Sequence, residues 1–270
     1  MSGQTARSYL FVPGNRPERF DKALTAGADE VIVDLEDAVP PQDKAAARSA
    51  LMAWLSPERP VLVRINSQGT EAYDEDLRLC GMPGVAGIVL PKAEALEGAF
   101  LERCAAKGTA IFPLIETAQG IWNARALAGT PGVQRLMFGS IDLQVDLDMD
   151  AGPEEQELQY FRAQLVLVSR LAGLPAPVDG VSTAIDDAEQ LRADTLRARR
   201  LGFGAKLCIH PRQIGGVHAA FSPSGEELAW AGRIMAAADA ARGGAVAVDG
   251  KMVDLPVIRK AQRILSSRSS

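Results

Sequence analysis

Eight short apolar runs recur along the chain, and longer amphipathic segments separate them. Most runs are continuously apolar, such as VIVDL, VLVRI and GIVLP, which is typical of strands that are covered on both faces in a parallel sheet. The candidate strands are Ser8–Val12, Glu30–Leu35, Val61–Asn66, Gly87–Pro91, Ala110–Ile115, Gln134–Gly139, Val178–Ser182 and Ala205–Ile209. The candidate helices between them include Pro17–Ala26, Lys44–Leu55, Glu94–Lys107, Glu154–Ala172 and Asp186–Leu201. Alternating strands and helices form right-handed βαβ units, and eight of them in this length favour a closed (β/α)8 TIM barrel over the alternative, an open doubly wound sheet.

The tail of the chain, residues 221–270, does not continue this pattern. Ser224–Arg242 is an amphipathic helical segment, the stretch GGAVAVDGKMVDLP resembles a hairpin, and Val257–Leu265 is a further helical segment. Because all eight strands precede this tail, we expect residues 1–220 to form the catalytic barrel domain. We expect residues 221–270 to form a C-terminal helical arm that packs on the barrel as a lid or on a neighbouring subunit.

Composition and charge exclude several classes of function. The 270 residues carry a net charge of −5 without a cluster of lysine or arginine, so a nucleic-acid-binding surface is not expected. No stretch approaches the roughly 18 apolar residues of a membrane span, and the N-terminal segment lacks the pattern of a signal peptide. Cys80, Cys104 and Cys208 are far apart and have no CxxC spacing. We interpret them as the reduced thiols of a cytoplasmic protein.

Polar residues lie where nearly every predicted strand ends. In a barrel of parallel strands these C-terminal ends converge on one mouth, where the active sites of this fold are built. Strand ends also meet solvent, so any single polar residue here has an ordinary alternative explanation. The set is harder to explain in that way, because carboxylates crowded at one mouth repel one another unless a positive charge joins them. The residues are Asn15, Asp34, Glu36, Asp37, Arg64, Asn66, Lys92, Glu116, Thr117, Ser140, Asp142, Ser182, Thr183 and His210.

A divalent cation would relieve that repulsion. Glu116 and Asp142 follow neighbouring strands, so each is placed to supply one oxygen to an octahedral ion. Mg²⁺ commonly takes one or two protein carboxylates and completes its shell with water and substrate oxygens, and Mn²⁺ can replace it in an all-oxygen site. We expect Glu36 and Asp37 to hold the metal-bound waters. Zinc is not expected, because the chain has two histidines and no thiolate at ligand spacing.

Arg64 is the expected counter-charge for an anionic substrate. A guanidinium offers paired donors to a carboxylate or to a developing enolate oxygen. The alternative role of Arg64 is an ion pair with Glu36 or Asp37, and the two roles are compatible. Lys92 follows the fourth strand, and we interpret it with equal weight as a structural residue of the mouth or as a substrate contact.

Eight segments, in this order over nearly the whole chain, carry a resemblance to a known family: RSYLFVPGNRPERFDKA, VIVDLEDAVPPQDKAAAR, VLVRIN, VLPKAE, PLIETAQGI, FGSIDLQVDL, AKLCIHPRQI and DGKMVDLP. The chain resembles the citrate lyase β-subunit / malyl-CoA lyase family, within the HpcH/HpaI aldolase superfamily. The resemblance implies a (β/α)8 barrel that assembles as a homotrimer or hexamer. It also implies Mg²⁺ on Glu116 of the IET segment and Asp142 of the GxxDL segment, with Arg64 of VRIN at the substrate.

For coenzyme A, the resemblance implies contacts from Phe11, Arg16, Lys22, Ile209 and His210. Arg16 and Lys22 lie near the first helix, where they would meet the phosphates of coenzyme A. Their alternative is a pair of exposed basic side chains, and for His210 the alternative is a packed residue at a loop end that bonds to the backbone.

The C-terminal arm gains a role from the same resemblance. In the malyl-CoA lyase branch, an Asp of this arm reaches the active site of a neighbouring subunit as general acid/base, and Asp254 of DGKMVDLP stands at that position. Asp249 is the less favoured candidate, because an Asp-Gly pair suits a turn. One stretch departs from the family pattern: the chain reads LQVDLDMDAGP after Asp142, and Asp146 and Asp148 give this loop extra negative charge.

Taken together, these features predict a Mg²⁺-dependent carbon–carbon lyase. Such an enzyme cleaves a 3-hydroxyacyl-CoA, for example citryl-CoA or malyl-CoA, into an acyl-CoA and a 2-oxo acid, or runs the reverse condensation. The alternatives are a malyl-CoA-type thioesterase, a malate-synthase-like activity and a non-catalytic subunit that binds coenzyme A. The chain contains no acyl-carrier segment, so a separate acyl-carrier partner is left open.

Overall fold

The computed structural model describes residues 6–240 and 246–267. Eight parallel strands close into a barrel in chain order, β1 to β8, and β1 pairs with β8 to complete the ring. The strands are β1 Ser8–Pro13, β2 Glu30–Asp34, β3 Val61–Arg64, β4 Val85–Leu90, β5 Ala110–Ile115, β6 Met137–Phe138, β7 Val178–Asp179 and β8 Ala205–Cys208. The predicted (β/α)8 barrel is therefore confirmed, and the open doubly wound sheet is excluded.

Helices connect the strands. They are α1 Phe20–Leu24, α2 Lys44–Trp54, α3 Glu71–Asp76, α4 Gly98–Lys107, α5 Ala118–Ala128, α6 Ser140–Asp146, α7 Gln159–Leu171, α8 Ala188–Leu201 and α9 Arg212–Phe221. Several begin where a polar side chain accepts a hydrogen bond from the first turn, as Thr117 does at α5 and Asp187 does at α8. The helix predicted from Pro17 is shorter than expected, because residues 17–19 form a 3-10 turn before α1.

The barrel interior is built from alternate residues of the strands. Its buried core comprises Tyr9, Ile32, Leu62, Val89, Phe112, Leu114, Met137, Val178, Ala205 and Leu207. Since strand side chains alternate between two faces, the next inward side chain lies two positions closer to the mouth. Ile32 thus leads to Asp34, and Leu114 leads to Glu116. The alternation that packs the core also delivers charged side chains to the mouth.

A layer of charged side chains is buried between the last strands and the helices α7 and α8. Arg162 Nε donates to Asp179 Oδ1 at 2.8 Å, and Arg162 Nη2 donates to Glu155 Oε2 at 2.6 Å. Lys206 Nζ lies 3.6 Å from Asp179 Oδ2 and donates to the Gly180 carbonyl at 2.7 Å. The side chains of Arg162 and Asp179 are 1% and 0% exposed. Because buried charges are tolerated only when they are paired, these contacts hold β7 in place beside the mouth.

A second compact unit comprises residues 219–240 and 246–267 of the described chain. It contains α10 Gly225–Ala240, the antiparallel pair β9 Val246–Val248 and β10 Lys251–Val253, and α11 Leu255–Ser266. Its buried core comprises Ala231, Ile234, Val253 and Ala261. The helix predicted over residues 224–242 ends at Ala240, and Arg242 lies outside the described residues. The packing of this arm on the barrel or on a neighbouring subunit stays a prediction.

The turn of the arm's hairpin explains Asp249. Asp249 and Gly250 join β9 to β10 with φ values of 51° and 73°, as in the two-residue turns in which both central residues adopt positive φ. Asp249 Oδ2 also accepts a hydrogen bond from Arg233 Nη2 at 2.9 Å. Asp249 is therefore engaged in the structure of the arm itself.

Cys80, Cys104 and Cys208 are free thiols. Burial raises the pKa of Cys208 to about 12, so this thiol is protonated at neutral pH. Of the helices in the described ranges, none is long and apolar enough to cross a membrane. The cytoplasmic location stays a prediction.

Candidate active site

A cavity of about 290 Å³ opens where the barrel strands end. The residues that line it come from the ends of β1, β2, β3, β5, β6, β7 and β8, at the C-terminal mouth on which this fold builds active sites. Six predicted site residues share this cavity: Phe11, Asp37, Arg64, Glu116, Asp142 and Ile209. The structure thus brings the predicted metal ligands and the predicted substrate arginine into one space.

Arg64 ends β3 and is held by two carboxylates. Its Nε and Nη2 donate to the two oxygens of Asp34 at 2.7 and 2.6 Å, and its Nη1 lies 3.1 Å from Glu36 Oε2. The guanidinium carbon lies 4.9 Å from the centre of the Phe11 ring, within the range of a cation–π contact. Burial disfavours its charge, but Asp34 and then Glu36 outweigh burial and raise the pKa of Arg64. Glu36 is therefore an ion-pair partner as predicted, while Asp34, rather than Asp37, is the second partner.

Glu36 is buried among cations and a hydroxyl group. Its Oε1 accepts hydrogen bonds from Lys92 Nζ at 2.6 Å and from Ser67 Oγ at 2.9 Å, while Oε2 forms the ion pair with Arg64. Both oxygens therefore have protein partners. The role of Glu36 and Asp37 in holding metal-bound waters stays a prediction, and Asp37 is the one of the two that lines the cavity.

Lys92 contacts carboxylates on both sides of the mouth. Glu36 and Asp37 follow β2, and Glu116 and Asp142 follow β5 and β6. The φ of Lys92 is 46°, in the left-handed region that residues with side chains rarely adopt. Its backbone N–H donates to Glu116 Oε1 at 2.8 Å, and its Nζ lies 3.7 Å from Asp37 Oδ2 and 3.8 Å from Asp142 Oδ1. Burial favours the neutral amine, but the hydrogen bond and charge of Glu36 prevail and raise the pKa of Lys92. One strained residue therefore braces both predicted metal ligands.

Glu116 and Asp142 form an acidic pair that fits a hard cation. Glu116 is 1% exposed, and burial, followed by the charge of Asp142, raises the pKa of Glu116 to about 8. A divalent ion would reverse this effect, because it stabilises both ionised carboxylates. Within residues 6–240 and 246–267, no three His, Cys, Asp or Glu side chains converge as a metal site. Two carboxylates at the mouth fit an ion such as Mg²⁺, which takes one or two protein carboxylates and fills its shell from water and substrate.

Gly139 provides the space that Glu116 occupies. A Cβ atom at position 139 would overlap Glu116 Oε2 and lie 2.5 Å from the Cβ of Glu116. Asp142 lies three residues further on, in the first turn of α6. The segment FGSID thus makes room for one predicted ligand and supplies the other.

Four of the five residues predicted to contact coenzyme A line a second cavity of about 350 Å³: Phe11, Lys22, Ile209 and His210. Arg16 does not line it and pairs with Glu18, at 2.7 Å between Nε and Oε1. Arg19 lines the cavity beside Lys22, one helical turn earlier. The two cavities share Phe11, Pro13 and Ile209.

His210 lines the second cavity and also bonds to the backbone of its own loop, as its alternative role predicts. The ring Nδ1 of His210 accepts a hydrogen bond from the backbone N–H of Arg212 at 3.2 Å, and the backbone N–H of His210 donates to Gln213 Oε1 at 3.3 Å. The ring is thus oriented by its own loop while it remains part of the cavity wall.

Asp254 and Asp146 are both bonded to backbone at the start of a helix. Asp254 is exposed, and its Oδ1 accepts from the backbone N–H of Val257 at 3.2 Å as the N-cap of α11. Asp146 Oδ2 accepts from the backbone N–H of Ala118, the first residue of α5, at 2.7 Å. A carboxylate at a helix N-terminus is favourable, so the extra charge at Asp146 has a structural role. The role of Asp254 at a neighbour's active site stays a prediction.

Three residues of the site have roles that the sequence did not reveal. Asp34 was recognised as a strand-end acid but not as the clamp on Arg64. The sequence predicts Lys92 with equal weight as a structural residue of the mouth or as a substrate contact, and it does not single out Gly139. Only Asp34 could have been found from the sequence. Asp34 lies two positions after Ile32, so its side chain points to the same inner face of the barrel as Ile32 does. The role of Lys92 depends on an unusual backbone angle, and the role of Gly139 depends on a contact between neighbouring strands.

The fold and the site together define the class of the protein, a (β/α)8 barrel with an acidic mouth built around one clamped arginine. Comparison with known proteins then gives the family. Residues 7–211 match the family described as HpcH/HpaI aldolase/citrate lyase, and the chain belongs to this family. The resemblance identified from the sequence segments is therefore confirmed.

Relatives with two kinds of name cover almost the whole chain. A citrate lyase subunit beta-like protein of Deinococcus radiodurans is 38% identical, with 96% of each chain covered. A (3S)-malyl-CoA thioesterase of Cereibacter sphaeroides is 34% identical over 98% of this chain and 97% of its own. The crystal structure of the protein CitE from Mycobacterium tuberculosis in complex with magnesium, acetoacetate and coenzyme A superposes with a TM-score of 0.88 at 36% identity, covering 98% of both chains.

Proposed function

We propose that the chain is a Mg²⁺-dependent carbon–carbon lyase that cleaves a 3-hydroxyacyl-CoA into an acyl-CoA and a 2-oxo acid, or catalyses the reverse condensation. One observation carries the proposal: Glu116, Asp142 and Arg64 line the same cavity at the barrel mouth. The solved relative that contains magnesium, a small oxo acid and coenzyme A together supports this combination of ligands.

Glu116 and Asp142 are the proposed metal ligands, with Mn²⁺ as a substitute for Mg²⁺. When bound, the ion supplies Lewis-acid polarisation of the substrate's hydroxyl or oxo group and of the adjacent carboxylate. Lys92 keeps the ligands in place, because its backbone fixes Glu116 while its Nζ lies beside Asp142. Asp37, on the cavity wall, is the proposed acceptor for ordered water, and Glu36 supports it through Lys92.

In cleavage, the carbinol O–H passes its proton to the ordered water held by Asp37, and the carbinol becomes the carbonyl of the 2-oxo acid. The electron pair of the carbon–carbon bond moves to the α-carbon of the thioester, which becomes an enolate and then takes up a proton. Arg64 is the proposed stabiliser of the enolate oxygen, since Asp34 and Glu36 hold its guanidinium in a fixed orientation before the reaction. Asp254 of a neighbouring copy is the proposed acid that donates the proton, and the base in condensation.

The second cavity is the proposed path of coenzyme A. Lys22 and Arg19 provide positive charge for its phosphates, while Phe11 and Ile209 belong to both cavities and would guide the thioester toward Arg64. Arg16 remains a proposed contact on the basis of the family resemblance alone, and its present partner is Glu18.

The experiment that tests the lyase proposal is an assay of the purified chain alone with Mg²⁺ and a panel of malyl-, methylmalyl- and citryl-CoA. A lyase releases a 2-oxo acid and an acyl-CoA from at least one of them, and chelation of the metal stops the reaction. The Glu116→Gln and Asp142→Asn variants should lose this activity while remaining folded. Undiminished turnover in either variant would refute the metal assignment.

A thioesterase is the second candidate, because the family includes the (3S)-malyl-CoA thioesterase that is 34% identical to this chain. In that reaction water attacks the thioester carbonyl and releases free coenzyme A and a 2-hydroxy acid. The same assay separates the two functions, since only the lyase forms a 2-oxo acid. Binding of coenzyme A without turnover of any thioester would instead favour the non-catalytic subunit.

We also propose that the chain assembles as a homotrimer or hexamer, since Asp254 acts in this scheme on a neighbour. Sedimentation of the purified chain gives the oligomeric state directly. Activity that requires an added acyl-carrier protein would reveal the separate carrier partner that the sequence leaves open.

A further inference from the structure

Two of the three free thiols lie at the end of the barrel opposite the mouth. Cys80 follows the 3-10 turn Leu77–Leu79 in the loop before β4. Cys104 lies in α4, which runs back toward the start of β5. Because the mouth is formed by the C-terminal ends of the strands, residues that precede β4 and β5 belong to the other end of the barrel. Neither thiol lines the two cavities described above.

The loop at Cys80 packs directly on the face of α4 that carries Cys104. The next residue, Gly81, has a φ of 78°, and a Cβ atom at position 81 would overlap the side chain of Lys107. Lys107 follows Cys104 by three positions, so their side chains lie on the same side of the helix. The absence of a side chain at Gly81 therefore allows the loop to come close to α4, and this approach brings the two thiols together.

The thiols of Cys80 and Cys104 are hydrogen-bonded to each other. The S–H group of Cys104 donates to the sulfur of Cys80 and lowers the pKa of Cys80, and the charge of Arg103 lowers it further against the opposing effect of burial. The same bond, together with burial, raises the pKa of Cys104. Cys80 is half-buried, whereas Cys104 is 1% exposed. The more acidic thiol of the pair is therefore also the more accessible one.

This arrangement is the one expected of redox-active cysteines. A thiol of lowered pKa that solvent can reach, beside a second thiol, is typical of proteins in which oxidation is reversible. Cys208 provides a contrast within the same chain. It is fully buried, its pKa is raised to about 12 by that burial, and its S–H group donates to the carbonyl of Lys206 at 3.9 Å.

We propose that Cys80 and Cys104 form a site of reversible oxidation, at which hydrogen peroxide produces an intramolecular disulfide. The Cys80 thiolate attacks one peroxide oxygen, the O–O bond breaks, and Cys80 becomes a sulfenic acid as hydroxide leaves. The sulfur of Cys104 then attacks the sulfur of Cys80, the S–O bond breaks, and the departing hydroxide takes up the proton of Cys104. Two thiols and one peroxide thus give one disulfide and two water molecules. A dithiol reductant returns both residues to thiols by exchange.

The disulfide closes a loop of residues 80–104 that contains β4, Lys92 and the first part of α4. Such a cross-link stabilises a protein mainly by restricting its unfolded chain. We therefore expect the Tm of the oxidised protein to exceed that of the reduced protein by about 5–10 °C, and dithiothreitol to reverse the increase. A Tm that is unchanged or lower once the bridge has formed would contradict this stabilising effect.

Peptide mapping of the full chain tests the bridge directly. The folded protein is treated with hydrogen peroxide, its remaining thiols are alkylated in denaturant, and trypsin then releases Cys80 in peptide 79–92 and Cys104 in peptide 104–107. We expect these two peptides to appear as one disulfide-linked species, while Cys208 is alkylated. Alkylation of both Cys80 and Cys104, or a sulfinic acid at Cys80 beside an alkylated Cys104, would overturn the proposal.

Substitutions separate the roles of the two thiols. In Cys104→Ser the sulfenic acid at Cys80 has no thiol to attack it, so its labelling by dimedone should rise by about tenfold or more over the unsubstituted protein. Cys208→Ser is the matched control and should form the bridge as the unsubstituted protein does. Cys80→Ser, at the half-buried position, should show neither a bridge nor dimedone labelling of Cys104. Equal labelling of Cys80 with and without Cys104, or labelling of Cys104 in Cys80→Ser, would overturn the assigned order of reaction.

Discussion

Glu116 occupies a position at which a negative charge is costly for the folded barrel. It is 1% exposed, and one backbone N–H, that of Lys92, donates to it among the described residues. Burial and the nearby charge of Asp142 both favour its protonated form. A carboxylate in this setting contributes to stability once a cation binds, because the bound ion stabilises the ionised folded state.

The affinity for Mg²⁺ should therefore depend on pH. The pKa of Glu116 in the metal-free protein is raised to about 8, so below that pH the carboxyl holds a proton that the ion must displace. The apparent affinity should weaken as pH falls from about 8.5 to 6.5, approaching tenfold per pH unit at the lower end. Calorimetric titrations at three pH values measure this, and the Glu116→Gln variant, which lacks both the ligand and the titrating group, should bind Mg²⁺ weakly at every pH. An affinity that does not change with pH would contradict the assignment of Glu116.

Gly139→Ala tests the space that Glu116 requires. The added methyl group would overlap Glu116 Oε2, so we expect Mg²⁺ binding and turnover to fall by about a hundredfold or more, as for the misplacement of a catalytic group. Gly215→Ala in α9 is the matched control, because a Cβ atom there has no neighbour within 4 Å. Full Mg²⁺ affinity in a folded Gly139→Ala protein would show that the ligand does not depend on this gap.

At this scale the sequence predicts which residues belong to the site better than it predicts the ion pairs between them. Glu116, Asp142 and Arg64 could be predicted because each is a charged residue just after an apolar strand. The expected pairing of Arg64 with Glu36 is confirmed, whereas the two-point contact comes from Asp34, which the pattern does not single out as a partner. Strand pairing sets that partner, since Asp34 and Arg64 are aligned across β2 and β3, and register between strands cannot be read from one strand's pattern.

At the scale of elements, Asp254 at the start of α11 has two candidate roles. The side chain caps α11 through the N–H of Val257, and the proposed function also gives it a proton to transfer. Asp254→Asn retains the cap and removes the acid, because Asn caps helices as well as Asp does. Asp254→Ala removes both and should lower the stability of the arm by about 1 kcal/mol.

The two variants therefore give different results for the two roles. If Asp254 is the acid, both variants lose turnover by about a hundredfold or more while retaining substrate binding. If Asp254 is only a cap, the Asn variant retains full activity. Steady-state kinetics and thermal unfolding of both proteins measure the difference.

Strand and helix positions follow from the sequence more closely at some elements than at others. β5 has the predicted bounds, whereas β6 and β7 are two-residue strands although longer strands were predicted there. After β6 the chain leaves the sheet at Gly139, and α6 begins at the next residue. After β7 it leaves the sheet near Gly180, where a Cβ atom at position 180 would lie 2.5 Å from Ser140 Oγ. The apolar residue Leu136 precedes the paired residues of β6, and the apolar residue Val181 lies beyond those of β7, so the pattern overestimates strand length.

At the scale of the whole molecule, the ring of strands depends on the buried charges behind β7 and β8. Asp179→Ala should lower the free energy of unfolding by about 3–5 kcal/mol, because it leaves Lys206 buried without a carboxylate and Arg162 with Glu155 alone. Asp186→Ala is the control, since Asp186 pairs with Arg212 on the surface and an exposed pair contributes about 1 kcal/mol or less. Denaturant unfolding of the full chain measures both, and equal effects would contradict the role of the buried layer.

The closed barrel could be predicted because the number and order of apolar runs constrain how parallel strands can be arranged. The C-terminal arm is likewise recognisable in the sequence, because its segments do not continue the pattern of alternating strands and helices. The docking of the arm cannot be predicted in this way, because the hydrophobic periodicity of a segment does not show which surface it packs on. Met252 and Leu255 are exposed within the arm.

The most direct test of the account is a crystal structure of the protein grown with Mg²⁺ and a 2-oxo acid. One ion is expected at the barrel mouth, about 2.1 Å from an oxygen of Glu116 and from an oxygen of Asp142, with the remaining positions filled by water and by the oxo acid. An ion bound elsewhere, or a structure in which one of the two carboxylates turns away from it, would contradict the central claim.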